Sequence, residues 1–547
     1  MPAIDVNTPV QQPVSSAIQS STAESSAVIM QDARGYHYEV RGNTLLSTAR
    51  VQQVLAEASD PRSAVEALQK AYVDAGYFLV GLEPEVVGTT IRIRVLPRSI
   101  SNVQAPSELQ PYFRGLEGRP DLKYRKLARK FALAESYDQR RGRSLNLDLV
   151  PGQIPTQATL RVEEKLNPDA SPLSFNFGLN NFGNRFAGRY IGQGAVSYQP
   201  GAGWELSANY ARGFSFDDGD DSELNAGGIG LSKVTPWGIY GINVAATDYA
   251  NPNYLSAYNL KGRFRIYSAT GMQILAVGEK SRWLLNEAFT RTENAVDFGD
   301  TNTQALDESY NSVSLGLSYG RKLHETGSVD DLNLGLNLSK GLSSREGSFA
   351  DEGPVVADPQ YFLANASAAY APHLPDRLHF GFSTQGQWAD TTLPQNQQWV
   401  LGGLDRLSAW APGVTVGDNG FLARLSATSP EFSLGGFGFA ASMALEGGGS
   451  RPHALPPTTT TSTTVNVLTP LLPLLPPLEE MLTTETTQEN KPFWQYLADA
   501  GLNLQMRYGK GSSLSVGAAW PIASSKVPDR VLDDYRTQVY FVLNQAW

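Results

Sequence analysis

The sequence predicts a transmembrane β-barrel of about sixteen antiparallel strands, preceded by two small α+β modules. Three observations carry that reading. Beyond Pro172 helical periodicity stops, and apolar–polar alternation recurs to the end of the chain. The connections between the alternating stretches are short and long in turn. The final stretch, residues 537–547 (TQVYFVLNQAW), is itself a strand, with Val539, Phe541, Leu543 and Trp547 on one face and Gln538, Tyr540, Asn544 and Ala546 on the other.

Composition agrees. In 547 residues there are 51 Gly and 10 % aromatics but only 18 % charged residues, a mix suited to strands, turns and a neutral polar interior. Cysteine is absent, which excludes disulfides and thiol catalysis. A net charge of -10 argues against general nucleic-acid binding. No apolar run reaches the roughly 18 residues of a spanning helix. An exported chain needs a leader, and MPAIDVNTPVQQP has neither a basic start nor an apolar core, so the numbering is read as beginning at a mature or trimmed terminus.

Residues 1–35 are rich in Ser, Ala, Gln and Thr and read as a linker, with a short helix near 15–27 as the alternative. Residues 36–98 form the first module. Strand 36–40 leads through Gly42-Asn43 to a helix capped by Ser47 that buries Val51, Val54 and Leu55. A second helix, 63–75, sets Val65, Leu68 and Tyr72 on one face and stops at Gly76. Strands 77–82 and 89–96 complete it. Residues 99–166 repeat that order, with strand 100–103, a helix over 122–139 through Leu127 and Phe131, and strands 144–149 and 156–163 joined at Pro151-Gly152.

Residues 167–547 are the barrel. Leu332, Leu334, Leu336 and Leu338 alternate with Asn333, Gly335, Asn337 and Ser339, and Leu502, Leu504, Met506 and Tyr508 with Asn503, Gln505, Arg507 and Gly509. Long connections (217–222, 294–308, 343–359, 394–419, 451–491, 524–535) all fall on one side when counted back from Trp547, and short turns on the other. Outer-membrane barrels have that asymmetry, with long loops outside. The insert 451–491, with PPTTTTSTT and LTPLLPLLPPLEE, reads as a disordered extracellular loop because proline cannot continue a strand. In residues 260–267, Lys261, Arg263 and Arg265 share one face, and Leu260, Phe264 and Ile266 the other. A basic side chain facing lipid at mid-membrane costs roughly 2–4 kcal/mol, so these three basic residues are expected to line the pore.

Four stretches resemble the two-partner secretion transporters, the exporters of filamentous haemagglutinin and haemolysin. VRGNTLLSTARVQQVL (40–55) and LQKAYVDAGYFLV (68–80) are similar to a first POTRA domain. LNLDLVPGQIPTQATLRVEE (145–164) is similar to the end of a second, and FGLNNFGNRFAGRYIGQG (177–194) to a first barrel hairpin. WVLGGLDRLSAWAPGVTVGDNGFLARL (399–425) resembles the strand, inward-folded loop and next strand of that family, placing the loop at 394–420. The family's motif there reads Val/Leu-Arg-Gly-aromatic, then Gly-Asp-x-Gly. This chain has Leu407-Ser408-Ala409-Trp410, with arginine and glycine replaced, and keeps Gly417, Asp418 and Gly420. The family's arginine contacts an acid on the barrel wall. The resemblance therefore points to Glu446 as that acid and to Arg406, two residues early, as the substitute for the arginine. The alternative is that Glu446 faces pore water.

The resemblance implies a bacterial outer-membrane transporter with POTRA domains in the periplasm. Its partners would be one large secreted exoprotein with an N-terminal secretion domain, outer-membrane lipid and the outer-membrane assembly machinery. An N-terminal helix would sit in the barrel as a plug. Two rivals remain. An insertase of other membrane proteins would have a longer POTRA array, and a porin would have no need of residues 36–166. No motif supports an enzyme, a cofactor or a metal. His37, His324, His373, His379 and His453 form no ligand spacing, and the acidic run 217–223 lacks that of a calcium loop.

Overall fold

The structure is a computed structural model. It describes residues 27–31, 35–183, 188–215, 223–251, 260–298, 303–324, 331–342, 357–404, 406–455, 458–468, 478–488, 490–509, 511–527 and 539–547. The helix alternative at 15–27, the acidic run 217–222 and most of the connection 343–359 lie outside the described residues.

The first module contains β1 (Val28–Gln31), β2 (His37–Arg41), α1 (Thr48–Glu57), α2 (Pro61–Asp74), β3 (Val80–Val87) and β4 (Thr90–Pro97). Its sheet order is β1-β2-β4-β3, with β2 and β4 parallel. Ser47 accepts from the Arg50 N–H to start α1, and Asp60 and Ser63 form a capping box for α2. Val51, Leu55, Leu68 and Tyr72 then pack on Tyr38, Ile91 and Ile93. Strand β1 falls within the stretch read as linker; four residues are too few to show a period, yet Val28 is buried. Strand β3 begins later than the sequence suggested and runs through Pro84, which an edge strand tolerates.

The second module repeats the plan with β5 (Ser99–Gln104), α3 (Gln110–Phe113), α4 (Tyr124–Gln139), β6 (Arg143–Pro151) and β7 (Gln157–Leu166), in sheet order β5-β7-β6. Helix α4 buries Leu127, Phe131, Ala134 and Tyr137 in a core that also takes in Val234, Ile274 and Val277 of the barrel rim. Polar contacts fix the same junction. Tyr112 Oη donates to Val234 O at 3.1 Å, Arg140 donates to Gly203 O at 2.8 Å and Ser232 Oγ at 2.9 Å, and Arg140 pairs with Glu205 at 3.3 Å. A Cβ on Gly203 would lie 2.6 Å from the Tyr137 ring, so this turn must be glycine for the module to seat.

The barrel strands are β8 (Leu173–Asn180), β9 (Tyr190–Gly201), β10 (Trp204–Phe214), β11 (Glu223–Val234), β12 (Ile239–Asn251), β13 (Leu260–Val277), β14 (Ser281–Phe298), β15 (Thr303–Arg321), β16 (Leu332–Gly341), β17 (Phe362–Tyr370) and β18 (His379–Ala389). A short pair, β19 (Trp399–Leu401) and β20 (Thr415–Gly417), stands apart from the wall. The wall resumes with β21 (Asn419–Thr428), a three-residue flap β22 (Phe432–Leu434) and β23 (Phe437–Arg451). Strands β24 (Thr458–Leu468) and β25 (Leu478–Gln488) form a separate hairpin, and β26 (Gln495–Tyr508), β27 (Ser512–Ser525) and β28 (Val539–Ala546) complete the wall. Sixteen antiparallel strands close into a barrel. The seam between β28 and β8 has five register pairs, Val542–Asn180 to Ala546–Asn176, where β10 and β11 share ten. Trp547 extends the seam by exchanging backbone hydrogen bonds with Phe175.

An outward apolar belt includes Ile229, Ile242, Val244, Leu315, Leu334 and Leu336, all exposed. Trp283 and Tyr319, with ring centroids 4.6 Å apart, lie at its module-side border. Two readings are corrected here. The connection 294–308 is mostly strand, because β14 and β15 rise well past the belt. The insert 451–491 is not without structure: threonine favours extended backbone, and its tract pairs with 478–488 in register from Thr458–Gln488 to Leu468–Leu478.

Candidate functional site

The segment between β18 and β21 turns into the barrel and joins two parts of its wall. Its first anchor is on β14 and β15. Asn294 Nδ2 donates to Gln395 Oε1 at 3.2 Å, the Gln395 N–H donates to Glu308 Oε1 at 3.3 Å, and Tyr310 bonds Asn396 and Gln397. Beyond it, β19 and β20 pair as a narrow hairpin whose tip includes residues 402–404 and 406–414. The tip is folded on itself. Gly402 N–H donates to Arg406 O and Gly403 N–H to Trp410 O, each at 2.8 Å. Gly402 and Gly403 have φ of 101° and 94°, a region open to glycine.

The second anchor is a charged row on the opposite wall. Arg424 on β21, Glu446 on β23 and Asp499 on β26 are successive register partners, so their side chains stand side by side in the lumen. Glu446 Oε2 accepts from the backbone N–H groups of Leu407 (2.9 Å) and Ser408 (3.2 Å), and Asp499 Oδ2 accepts from Ala409 N–H at 2.7 Å. Arg424 pairs with Glu446 Oε1 at 3.0 Å. Both carboxylates are almost wholly buried. Here the carboxylates hold three consecutive backbone donors, at a tip where Leu407 has a φ of 74°. Such charge-assisted bonds are stronger than neutral ones.

The guanidinium at Glu446 is therefore Arg424, not Arg406. The Arg406 side chain turns away, donating to Val400 O at 3.2 Å and stacking its charge 5.1 Å from the Trp399 ring centroid. Nor does Glu446 face open water. Trp410 is buried with Trp399, Leu401, Leu407, Phe182 and Tyr540 in a cluster between loop and wall. Asp418 ties the loop's end to its start, accepting from Leu393 N–H at 2.7 Å, and to the segment after β23, accepting from His453 N–H. The two glycines beside it sit under close neighbours. A Cβ at Gly420 would lie 2.0 Å from the Trp399 ring, and one at Gly417 2.6 Å from Arg451 N.

Beside the loop lies a lumen cavity of about 620 Å³, lined by neutral polar residues that include Asn286, Asn337, Asn365, Gln385 and Gln397, with Arg406 its charged member. Lys261, Arg263 and Arg265 are not part of it. Their register partners on β14 are Asp297, Ala295 and Glu293, whereas Phe264 and Ile266 pair with Asn294 and Thr292 on the face that meets the loop. The three basic residues therefore lie on the outer face, where β13 has risen beyond the apolar belt, and Arg263 reaches Asp297 at 3.5 Å. Lipid cost does not drive them inward because their outward neighbours at that height, Asp248 and Glu293, are charged as well. Sequence reasoning missed Arg424, whose signal was an inward-parity charge level with Glu446.

A family model described as haemolysin secretion/activation protein ShlB/FhaC/HecB matches residues 161–461. No curated protein matches the chain. Among solved structures, CdiB from Escherichia coli is similar at a TM-score of 0.69 and 18% identity, over 97% of this chain and 93% of that one. CdiB from Acinetobacter baumannii is similar at a TM-score of 0.61 and 12% identity, over 100% of this chain and 95% of that one. At such identities the two structures share the fold with this chain. The family match spans more than half of the sequence, and the chain belongs to the ShlB/FhaC/HecB family of haemolysin secretion/activation proteins as an outer-membrane transporter of the two-partner secretion kind.

Proposed function

We propose that the chain exports one large exoprotein through the barrel lumen, with the modules collecting the exoprotein in the periplasm and the inward loop keeping the pore shut between transport events. The observation that carries this reading is the attachment of the loop to two opposed parts of a closed wall, Asn294–Glu308–Tyr310 and Arg424–Glu446–Asp499. A barrel of this strand number is wide enough for an extended chain once such a crossbar withdraws. The neutral amides beside the loop offer such a chain hydrogen bonds. On the periplasmic side, β3 and β6 are sheet edges, with free backbone groups to which an extended N-terminal secretion domain can add a strand. The exoprotein then folds at the surface, and no nucleotide is needed.

The test is a co-expression assay with a partner exoprotein. Deleting residues 36–166 should abolish its appearance in the medium while the barrel still migrates as a folded, heat-modifiable species. Continued export by the barrel alone would refute the collecting role of the modules.

A further inference from the structure

We infer that the junction between the second module and the barrel holds the headgroup of an anionic phospholipid. A cleft of about 430 Å³ opens there, lined by Arg119, Lys123, Arg125, Lys126 and Arg129, with Asp121 as the acid among them. Among the described residues none of the five basic groups is ion-paired; Lys126 donates to Gly115 O at 3.3 Å, and Lys123 lies 5.1 Å from the Tyr77 ring centroid. Burial, aided by the charges of Lys126 and Arg129, holds the neighbouring Lys130 ammonium below its usual range. The cleft thus carries a clear excess of positive charge.

The other wall of the cleft names the kind of anion. It is Leu275 and Ala276 of β13. A register shift between Ile274 and Ala276 lets both stand toward the outside of the barrel, and Ala276 pairs with Trp283 at the module-side border of the apolar belt. Leu275 is 41% exposed there. The basic residues thus meet the membrane at headgroup depth, while the acyl chains of the same molecule would run up the outer face of β13. A phosphodiester with two chains satisfies both walls; a soluble phosphate satisfies one. Basic clusters at headgroup depth attract anionic lipid electrostatically.

The inference rests on the proposed reading that the module-side rim faces the periplasm, where the inner leaflet is phospholipid. The experiment does not depend on secretion. Full-length protein, purified in detergent and delipidated, is incubated with phosphatidylglycerol or phosphatidylcholine, and retained lipid is read by native mass spectrometry. Wild type should retain phosphatidylglycerol preferentially. The triple variant Arg119→Gln, Arg125→Gln, Arg129→Gln should lose at least roughly ten-fold of that retention, while Arg50→Gln, Lys70→Gln, Arg94→Gln, on the exposed first module, should retain it. Heat-modifiable migration verifies the fold of each variant. Equal retention of both lipids, unchanged retention in the first triple variant, or complete displacement by millimolar glycerol phosphate would each overturn the assignment.

Discussion

Taking away the Glu446 carboxylate would leave two backbone N–H groups without an acceptor and remove the carboxylate that pairs with Arg424 at 3.0 Å. Breaking a buried ion pair costs roughly 3–5 kcal/mol, and the low end applies here because Arg424 keeps 30% of its surface. Glu446→Ala should therefore release the loop, raising single-channel conductance in planar bilayers, whereas Ser408→Ala should conduct like wild type because the contact is made by the main chain. Similar conductance from both variants would refute this anchor. A second titratable site lies in the modules. Asp138 is fully buried at the end of α4, and burial, reinforced by Glu164 and opposed by Arg141, lifts its pKa from 3.8 to about 6. Between those values the folded module binds more protons than the unfolded chain. The contribution of this group therefore falls as pH rises through that window and is level above it, by about 3 kcal/mol in all. In calorimetry of the full-length protein, Asp138→Asn should flatten the pH dependence of the module transition between pH 4 and 6; an unchanged slope would show that another group sets it.

Strand β13 is the element where sequence and structure part. Alternation divides it into two faces correctly, but it cannot say which face is wet once a strand outruns the apolar belt. With no native cysteine, labels can settle the matter cleanly. Arg263→Cys and Arg265→Cys should react with an impermeant maleimide applied to whole cells, and faster than Phe264→Cys or Ile266→Cys, which point to the loop-filled lumen. The reverse order would restore the pore-lining assignment. The same limit explains the insert. Its prolines argued against a strand, but they cluster at 456–457 and 470–477, and the threonines between them are good strand formers.

At the scale of the molecule, repetition made the sequence readable. The barrel and both modules repeat periods that survive without knowing any contact. The charged row did not show itself because Arg424, Glu446 and Asp499 are far apart in sequence and meet only through strand register. Arg406, close to the motif in sequence, drew the inference instead. Register also sets the strength of the wall. A closed barrel is a hoop, and outward load on a hoop is the same at every joint, so the joint with fewest fastenings governs when it parts. Among the described residues, and leaving aside the three-residue β22, that joint is the meeting of β28 with β8, half as long as the β10–β11 joint. The Trp547–Phe175 exchange and the Asn181 side chain, which bonds the backbone of Val539 and Phe541, therefore act as clasps at the two ends of a short zip. A cargo that began to fold while still inside would press on every stave equally, and it would be these few bonds that decide how bulky a passenger the wall can hold.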